Sequence, residues 1–257
     1  MKRVVIKFGT GVLTKKEGCA LDPSRFRQFA KEVAALKKRG LECILVSSGA
    51  VAAGVDLLGF NKRPQELASK QACAAAGQPR LMRLYETCFA KHKLHVAQLL
   101  LTHGDIDSRS RRINAKNTLE CLLARKNVIP IINENDSVAV EELRVGDNDR
   151  LCAELAVMAK ADLLIIMTSV DGVLDGNRRI PVVQDISDVL HLVREETGRF
   201  STGGMKTKLE AVRFALENGV ESVIVNGKKN DQICDSIKGN KQTGTRFPIT
   251  RKSKVKS

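Results

Sequence analysis

The chain has 257 residues, of which 43% are hydrophobic and 28% charged, with a formal net charge of +14 at pH 7. A chain of this length buries about 70–75% of its unfolded surface, enough for one large core or for two lobes around a cleft. No apolar run approaches the roughly 20 residues that span a bilayer, and the opening Val4-Val5-Ile6 reads as a strand and not as a secretion signal, so no membrane-spanning helix and a cytoplasmic location are expected.

In chain order, short β-branched runs alternate with longer amphipathic segments. A strand at Val4–Ile6 precedes a helix over Pro23–Arg39. A strand at Cys43–Val46 precedes helical stretches over Ala50–Leu58 and Glu66–His92. Val96–Leu101 is followed by a helix over Ala115–Arg125, and Val128–Ile132 by a loop and a helix over Asp149–Lys160. The run Leu163–Met167, a variable segment, a helix over Lys206–Asn218 and the run Ser222–Val225 complete the alternation. Strands without polar alternation, separated by helices, predict a mostly parallel central sheet covered on both faces, that is, a three-layer αβα sandwich.

Ligands of such sheets bind beyond the carboxyl ends of the strands, so the loops after each run are where chemistry is expected. After the first strand come Lys7 and then Gly9-Thr10-Gly11, a loop in which glycines allow positive φ and close backbone approach to a phosphate. It is not a Walker A sequence, and an ordinary tight turn explains it equally well. Ser47-Ser48-Gly49-Ala50 opens a helix of small residues, either as an anion site at a helix start or as a serine cap. Asn133, Asn135 and Asp136 gather after a strand, and Asp147, Asn148 and Asp149 gather at a helix start, positions where Asn and Asp also serve as turn and cap residues. The loop Thr202-Gly203-Gly204-Met205-Lys206-Thr207-Lys208 repeats the design of two glycines, a helix start and a lysine. Two glycine-lysine loops with acids between them are what phosphoryl transfer requires, because charge must be neutralised and the reacting ends aligned.

Other groups point elsewhere or nowhere. The seven cysteines form no CxxC pair, and the four histidines have no metal-ligand spacing, so neither a disulfide framework nor a bound structural metal is expected. Cys43 and Cys121 lie in apolar surroundings and read as small core residues. The +14 charge keeps nucleic-acid binding as an alternative, but 4% aromatics and no Trp leave little for a base-stacking platform. Arg251, Lys252, Lys254 and Lys256 supply part of the charge from a basic tail over residues 250–257 that is expected to be disordered.

Taken together, these loops resemble the glutamate 5-kinases of the amino-acid kinase superfamily, from Lys7 to about Val225. The matching runs are the lysine with Gly9-Thr10-Gly11, Ser48-Gly49-Ala50 with Ala52-Ala53-Gly54, Ser69-Lys70-Gln71, Gly77-Gln78, Asn133-Glu134-Asn135-Asp136, Val145-Gly146-Asp147-Asn148-Asp149 and Thr202-Gly203-Gly204-Met205. The resemblance implies the amino-acid kinase fold over residues 1–249, and phosphorylation of the γ-carboxylate of L-glutamate by ATP with Mg²⁺ as the first step of proline synthesis. It implies Lys7 and Lys208 on the phosphates, Asp149 orienting both lysines, and Gly9, Thr10 and Gly11 lining the phosphate loop. Ser48, Asp136 and Asn148 are implied to hold glutamate, with Asn133 and Asp147 beside it. Thr168, Ser169 and the loop from Thr202 to Lys208 are implied on the ATP side. It further implies a homodimer or tetramer, proline as feedback inhibitor and coupling to glutamate-5-semialdehyde dehydrogenase. Three departures stand out. Too few residues follow Val225 for the PUA domain many members carry, Ser169 stands where Asp is frequent, and the segment 171–201 reads as short. The alternative enzymatic reading is a different kinase of the wider superfamily, acting on aspartate, carbamate or a nucleoside monophosphate.

Overall fold

The computed structural model of the protein describes residues 1–15, 20–139, 147–192 and 204–249, with the side chain of Asp147 excepted; the basic tail and, of the segment 171–201, residues 193–201 lie outside it. Its elements run β1 (Arg3–Phe8), α1 (Thr10–Leu13), α2 (Pro23–Lys38), β2 (Glu42–Ser47), α3 (Ala50–Gly54), α4 (Leu67–Ala90), β3 (His95–Leu101), α5 (His103–Asp107), α6 (Arg109–Leu123), β4 (Val128–Glu134), α7 (Asp147–Met158) and β5 (Leu163–Thr168). There follow β6 (Leu174–Asp175), β7 (Arg178–Arg179), α8 (Ser187–Leu190), α9 (Met205–Glu217), β8 (Glu221–Asn226), α10 (Gln232–Lys238) and β9 (Thr245–Phe247).

Seven strands form one sheet in the order β3-β4-β2-β1-β5-β8-β9, parallel except for β9, which runs antiparallel to β8, while β6 and β7 form a separate hairpin. The central strands are buried on both faces, as β5 shows along its whole length, and this is why their sequences are continuous apolar runs. One core lies on the face carrying α2 and α4, around Phe8, Phe29, Tyr85 and Phe89; the other lies on the face carrying α7 and α9, around Leu151, Leu155, Leu209 and Val212. The observed architecture is the αβα sandwich expected.

Helix α2 starts where Asp22 accepts a hydrogen bond from Ser24 N and Pro23 occupies the first turn, a capped start from which Phe26 and Phe29 enter the core. Helices α3 and α4 touch backbone to backbone. A Cβ on Gly54 would sit 1.9 Å from the Cys73 carbonyl oxygen, and one on Gly77 would sit 2.0 Å from that of Ala50. Only glycine permits that approach, which anchors α4 against the loop that ends β2.

The cysteine expectations divide. Cys43 is buried and its thiol is pushed up to about 12 by desolvation, whereas Cys121 is exposed. Helix α6 buries Ala115, Leu119 and Leu123, one stripe at four-residue spacing, and Cys121 falls on the opposite side. Among the described residues, no helix is long and apolar enough to cross a membrane.

Candidate active site

The chain moves from β4 to β5 across β1, and the connecting helix α7 therefore begins above the middle of the sheet. Its first turn puts Asn148 and Asp149 over the carboxyl ends of β1, β2 and β4, where Lys7, Ser48 and Asn133 are carried. A reversal of strand order of this kind opens the crevice in which such sheets bind ligands.

Asp149 is the centre of the first half of the site. Its Oδ1 lies 2.7 Å from Lys7 Nζ, and its Oδ2 lies 3.1 Å from Lys208 Nζ and accepts from Thr207 Oγ1 at 2.9 Å. Lys7, Asp149 and Lys208 are only 5%, 1% and 6% exposed. Burial alone would raise the Asp149 carboxyl, but the charges and hydrogen bonds of the two lysines outweigh it and hold the group below the ordinary carboxylate range. Burial likewise lowers the Lys208 ammonium, with Asp149 opposing the fall and Lys7 adding to it. Two ammonium groups around one carboxylate sum to +1 in a water-poor place, an arrangement suited to an anion.

The glycine loop works differently from the sequence reading. Gly9 is the extended cap of α1 (φ −73°, ψ 155°) and Gly11 lies inside that helix; neither has positive φ. Gly9 matters for its size, since a Cβ there would sit 3.5 Å from Lys7 Nζ, whereas one on Gly11 would meet nothing within 4 Å. The left-handed glycine is Gly49 (φ 101°), which caps α3. Neither neighbouring serine caps that helix: Ser47 Oγ donates to Ser48 O and pairs with Tyr85 Oη, while Ser48 Oγ accepts from Asn148 Nδ2 at 3.1 Å.

The second half of the site is a cavity of about 500 Å³ at the ends of β3 and β4, lined in part by Ala50, Gln78, Gln98, Glu134 and Asp136. Asp136 faces it, and its charge acts on Arg63, whose guanidinium burial pulls down and Asp136 pulls back up. Asn133 lies behind the wall with its amide engaged at both ends, donating to Gln78 Oε1 and accepting from Glu134 N. Asn148 Oδ1 is buried without a hydrogen-bond partner among the described residues.

Thr168 is buried at the end of β5 and its carbonyl accepts from Gly227 N, while Ser169 beside it is exposed. Gly204 caps α9, which carries Met205, Lys206, Thr207 and Lys208. Thr202, Gly203, Val145 and Gly146 lie outside the described residues, as does the Asp147 side chain. Gln98 and Arg63 went unnoticed in the sequence, since a polar residue on an edge strand and a basic residue in a loop carry no local signal; Gln78 entered only through the resemblance.

Chemically, the site places a buried cationic cluster next to a cavity with an acidic wall. Sequence comparison specifies it further. A profile described as the amino acid kinase family matches residues 2–226. Curated relatives named glutamate 5-kinase include those of Pelobacter propionicus, 44% identical over 96% of this chain and 68% of its own, and of Desulfitobacterium hafniense, 43% identical over the same shares. That of Thermus thermophilus is 43% identical over 98% of this chain and 68% of its own. The chain belongs to the amino acid kinase family and, within it, to the glutamate 5-kinases.

Proposed function

We propose that the protein transfers the γ-phosphoryl group of ATP to the γ-carboxylate of L-glutamate, giving L-glutamyl 5-phosphate and ADP, the opening step of proline synthesis. The observation that carries this reading is the division of labour in one helical turn. Asn148 turns to Ser48 and the acceptor side, and Asp149, the next residue, turns to Lys7 and Lys208.

The acceptor carboxylate has an ordinary pKa near 4.3, so it is already the nucleophile at neutral pH and needs no general base. Asp136 receives the substrate ammonium with Asn148 Oδ1, buried and without a partner among the described residues, as the second acceptor, and Ser48 steadies Asn148. Lys7 and Lys208 neutralise the phosphoryl oxygens as charge redistributes, and Asp149 keeps both ammonium groups aimed at one point. Gly9, Thr10, Gly11, Thr168, Ser169 and the start of α9 border the nucleotide. Mg²⁺ fits this site as a passenger of the nucleotide phosphates: Asp149 is committed to lysines, and no cluster of three or more potential ligands occurs among the described residues. When bound it neutralises phosphate charge. Residues 1–249 act as the kinase domain; a homo-oligomer, a cytoplasmic location, feedback by proline and coupling to the dehydrogenase that consumes the product extend the same reading.

The test is direct. Purified protein with Mg-ATP, L-glutamate and hydroxylamine should yield the hydroxamate of the trapped acyl phosphate, and aspartate, N-acetylglutamate, carbamate and UMP should release little ADP. ADP formed with another acceptor and none with glutamate refutes the substrate.

A further inference from the structure

A line of carboxamides runs from the rim of the acceptor cavity to Ser48, and its polarity follows from one unambiguous donor. The backbone N–H of Glu134 donates to Asn133 Oδ1 at 3.0 Å, which turns Asn133 Nδ2 toward Gln78 Oε1 at 2.8 Å. Gln78 must then present Nε2 outward, and it does, donating to Gln98 Oε1 at 2.8 Å. On the inner side Asn148 Nδ2 is shared between Asn133 Oδ1 at 3.5 Å and Ser48 Oγ at 3.1 Å, and this leaves its buried Oδ1 as the atom without a partner among the described residues.

We propose that Gln78 is a positioning residue that selects the acceptor: by anchoring the Asn133 amide that the Glu134 N–H orients, it keeps Asn148 Nδ2 turned inward and Oδ1 as the acceptor atom, and so favours an acceptor bearing a free ammonium group. The inference rests on glutamate being the acceptor. Gln78 is suited to the task because its own backbone cannot drift. It follows Gly77, whose missing Cβ lets α4 close on the Ala50 carbonyl, and it is 8% exposed beside Asn133 at 1%. Without the Gln78 oxygen, Asn133 Nδ2 becomes a buried donor with no acceptor, and turning the amide is no remedy, because it would set Nδ2 against the Glu134 N–H. The Asn133 side chain must then shift, and the contact that loosens is the long one from Asn148 Nδ2, at 3.5 Å, so that Asn148 no longer holds its place at the acceptor.

The experiment uses the full chain and measures KM for glutamate and for ATP and kcat by hydroxamate formation. Gln78→Met keeps the length and removes the amide; it should raise KM for glutamate about tenfold or more, with KM for ATP and kcat within about threefold, the pattern of lost acceptor binding. A second pair remains decisive if that variant folds poorly. Gln98 is exposed, so Gln98→Glu and Gln98→Lys leave the core untouched. Glu offers only an acceptor to Gln78 Nε2 and preserves the contact, whereas Lys offers only a donor and turns Gln78 Nε2 toward Asn133 Nδ2, which removes the anchor. Simple charge attraction ranks them the other way, because a lysine draws an anionic acceptor and a glutamate repels it. A higher glutamate KM for Gln98→Lys than for Gln98→Glu supports the positioning role. The opposite order, or an unchanged glutamate KM in a folded Gln78→Met, overturns it while wild-type hydroxamate formation leaves the reaction itself standing. A wild type silent with glutamate overturns the underlying reading instead.

Discussion

Replacing Asp149 by Asn tests the core of the site, because it removes one charge and almost no volume. Asp149 currently satisfies three donors, Lys7 Nζ, Lys208 Nζ and Thr207 Oγ1. Asn keeps one acceptor oxygen and turns an NH₂ toward the other ammonium, and the cluster goes from +1 to +2 with no water to screen it. Breaking a buried pair by deleting one partner costs about 3–5 kcal/mol. At about 2–4 °C per kcal/mol for a chain of this size, the lower figure lowers Tm by roughly 6–12 °C. Catalysis should suffer separately: lysines no longer held to one point cost about 10²–10³ in kcat. ATP binding should survive, since the pocket has gained positive charge. The pH dependence has a definite sign. The folded pKa of Asp149 is depressed, so its contribution is complete above the unfolded value of 3.8 and is lost as pH falls through the lower folded value. The Tm gap between wild type and Asp149→Asn should therefore stay constant from neutral pH down to about 5 and narrow below about 4. Hydroxamate kinetics and thermal melts across pH decide the matter. A variant with kcat within about tenfold of wild type and an unchanged Tm refutes the clamp.

Two further substitutions separate charge from packing. Lys208→Met removes a buried ammonium and leaves Asp149 paired with Lys7, so it should abolish most turnover, by about 10²-fold or more, while Tm holds or rises; a Tm loss as large as that of Asp149→Asn contradicts this. Gly77→Ala places a Cβ 2.0 Å from the Ala50 carbonyl oxygen, a contact that only a shift of backbone relieves, and denaturant titration should show a loss of at least about 2 kcal/mol. A stability change below about 0.5 kcal/mol means that α3 and α4 do not meet as described.

Much of the fold was legible because the central strands are buried on both faces, and a run such as Leu163–Met167 has no polar residue to confuse it; the observed β5 ends one residue later, at Thr168. The short pieces were not. Helices α1, α5 and α10 have four to seven residues, too few for a helical period to show, and β9 has three residues whose place is fixed by pairing with β8 and by Arg246 N donating to Pro181 O. The end of α3 was missed for a related reason: Val55, Leu57 and Leu58 carry an apolar pattern past Gly54, but the regular helix ends at Gly54.

The site divides along the same physical line. Lys7, Asp149 and Lys208 could be singled out because each sits where a strand or helix meets a loop, and such junctions in a parallel sheet face ligands. What each does there depends on partners 142 and 59 residues away, and no local pattern encodes those distances. Gly9 and Gly11 show the limit from the other side: glycine suggested positive φ, but the loop turns into α1 through an extended cap, and space beside Lys7 Nζ is what Gly9 provides. The carboxamide line is the extreme case. Its links join residues 20, 55 and 15 apart on β3, α4, β4 and α7, and each amide alone is an ordinary polar side chain. Their meaning lies in the direction each one points. That direction is fixed by a single backbone N–H at the end of β4, so the acceptor selectivity proposed above would be a property of strand register as much as of the residues lining the cavity.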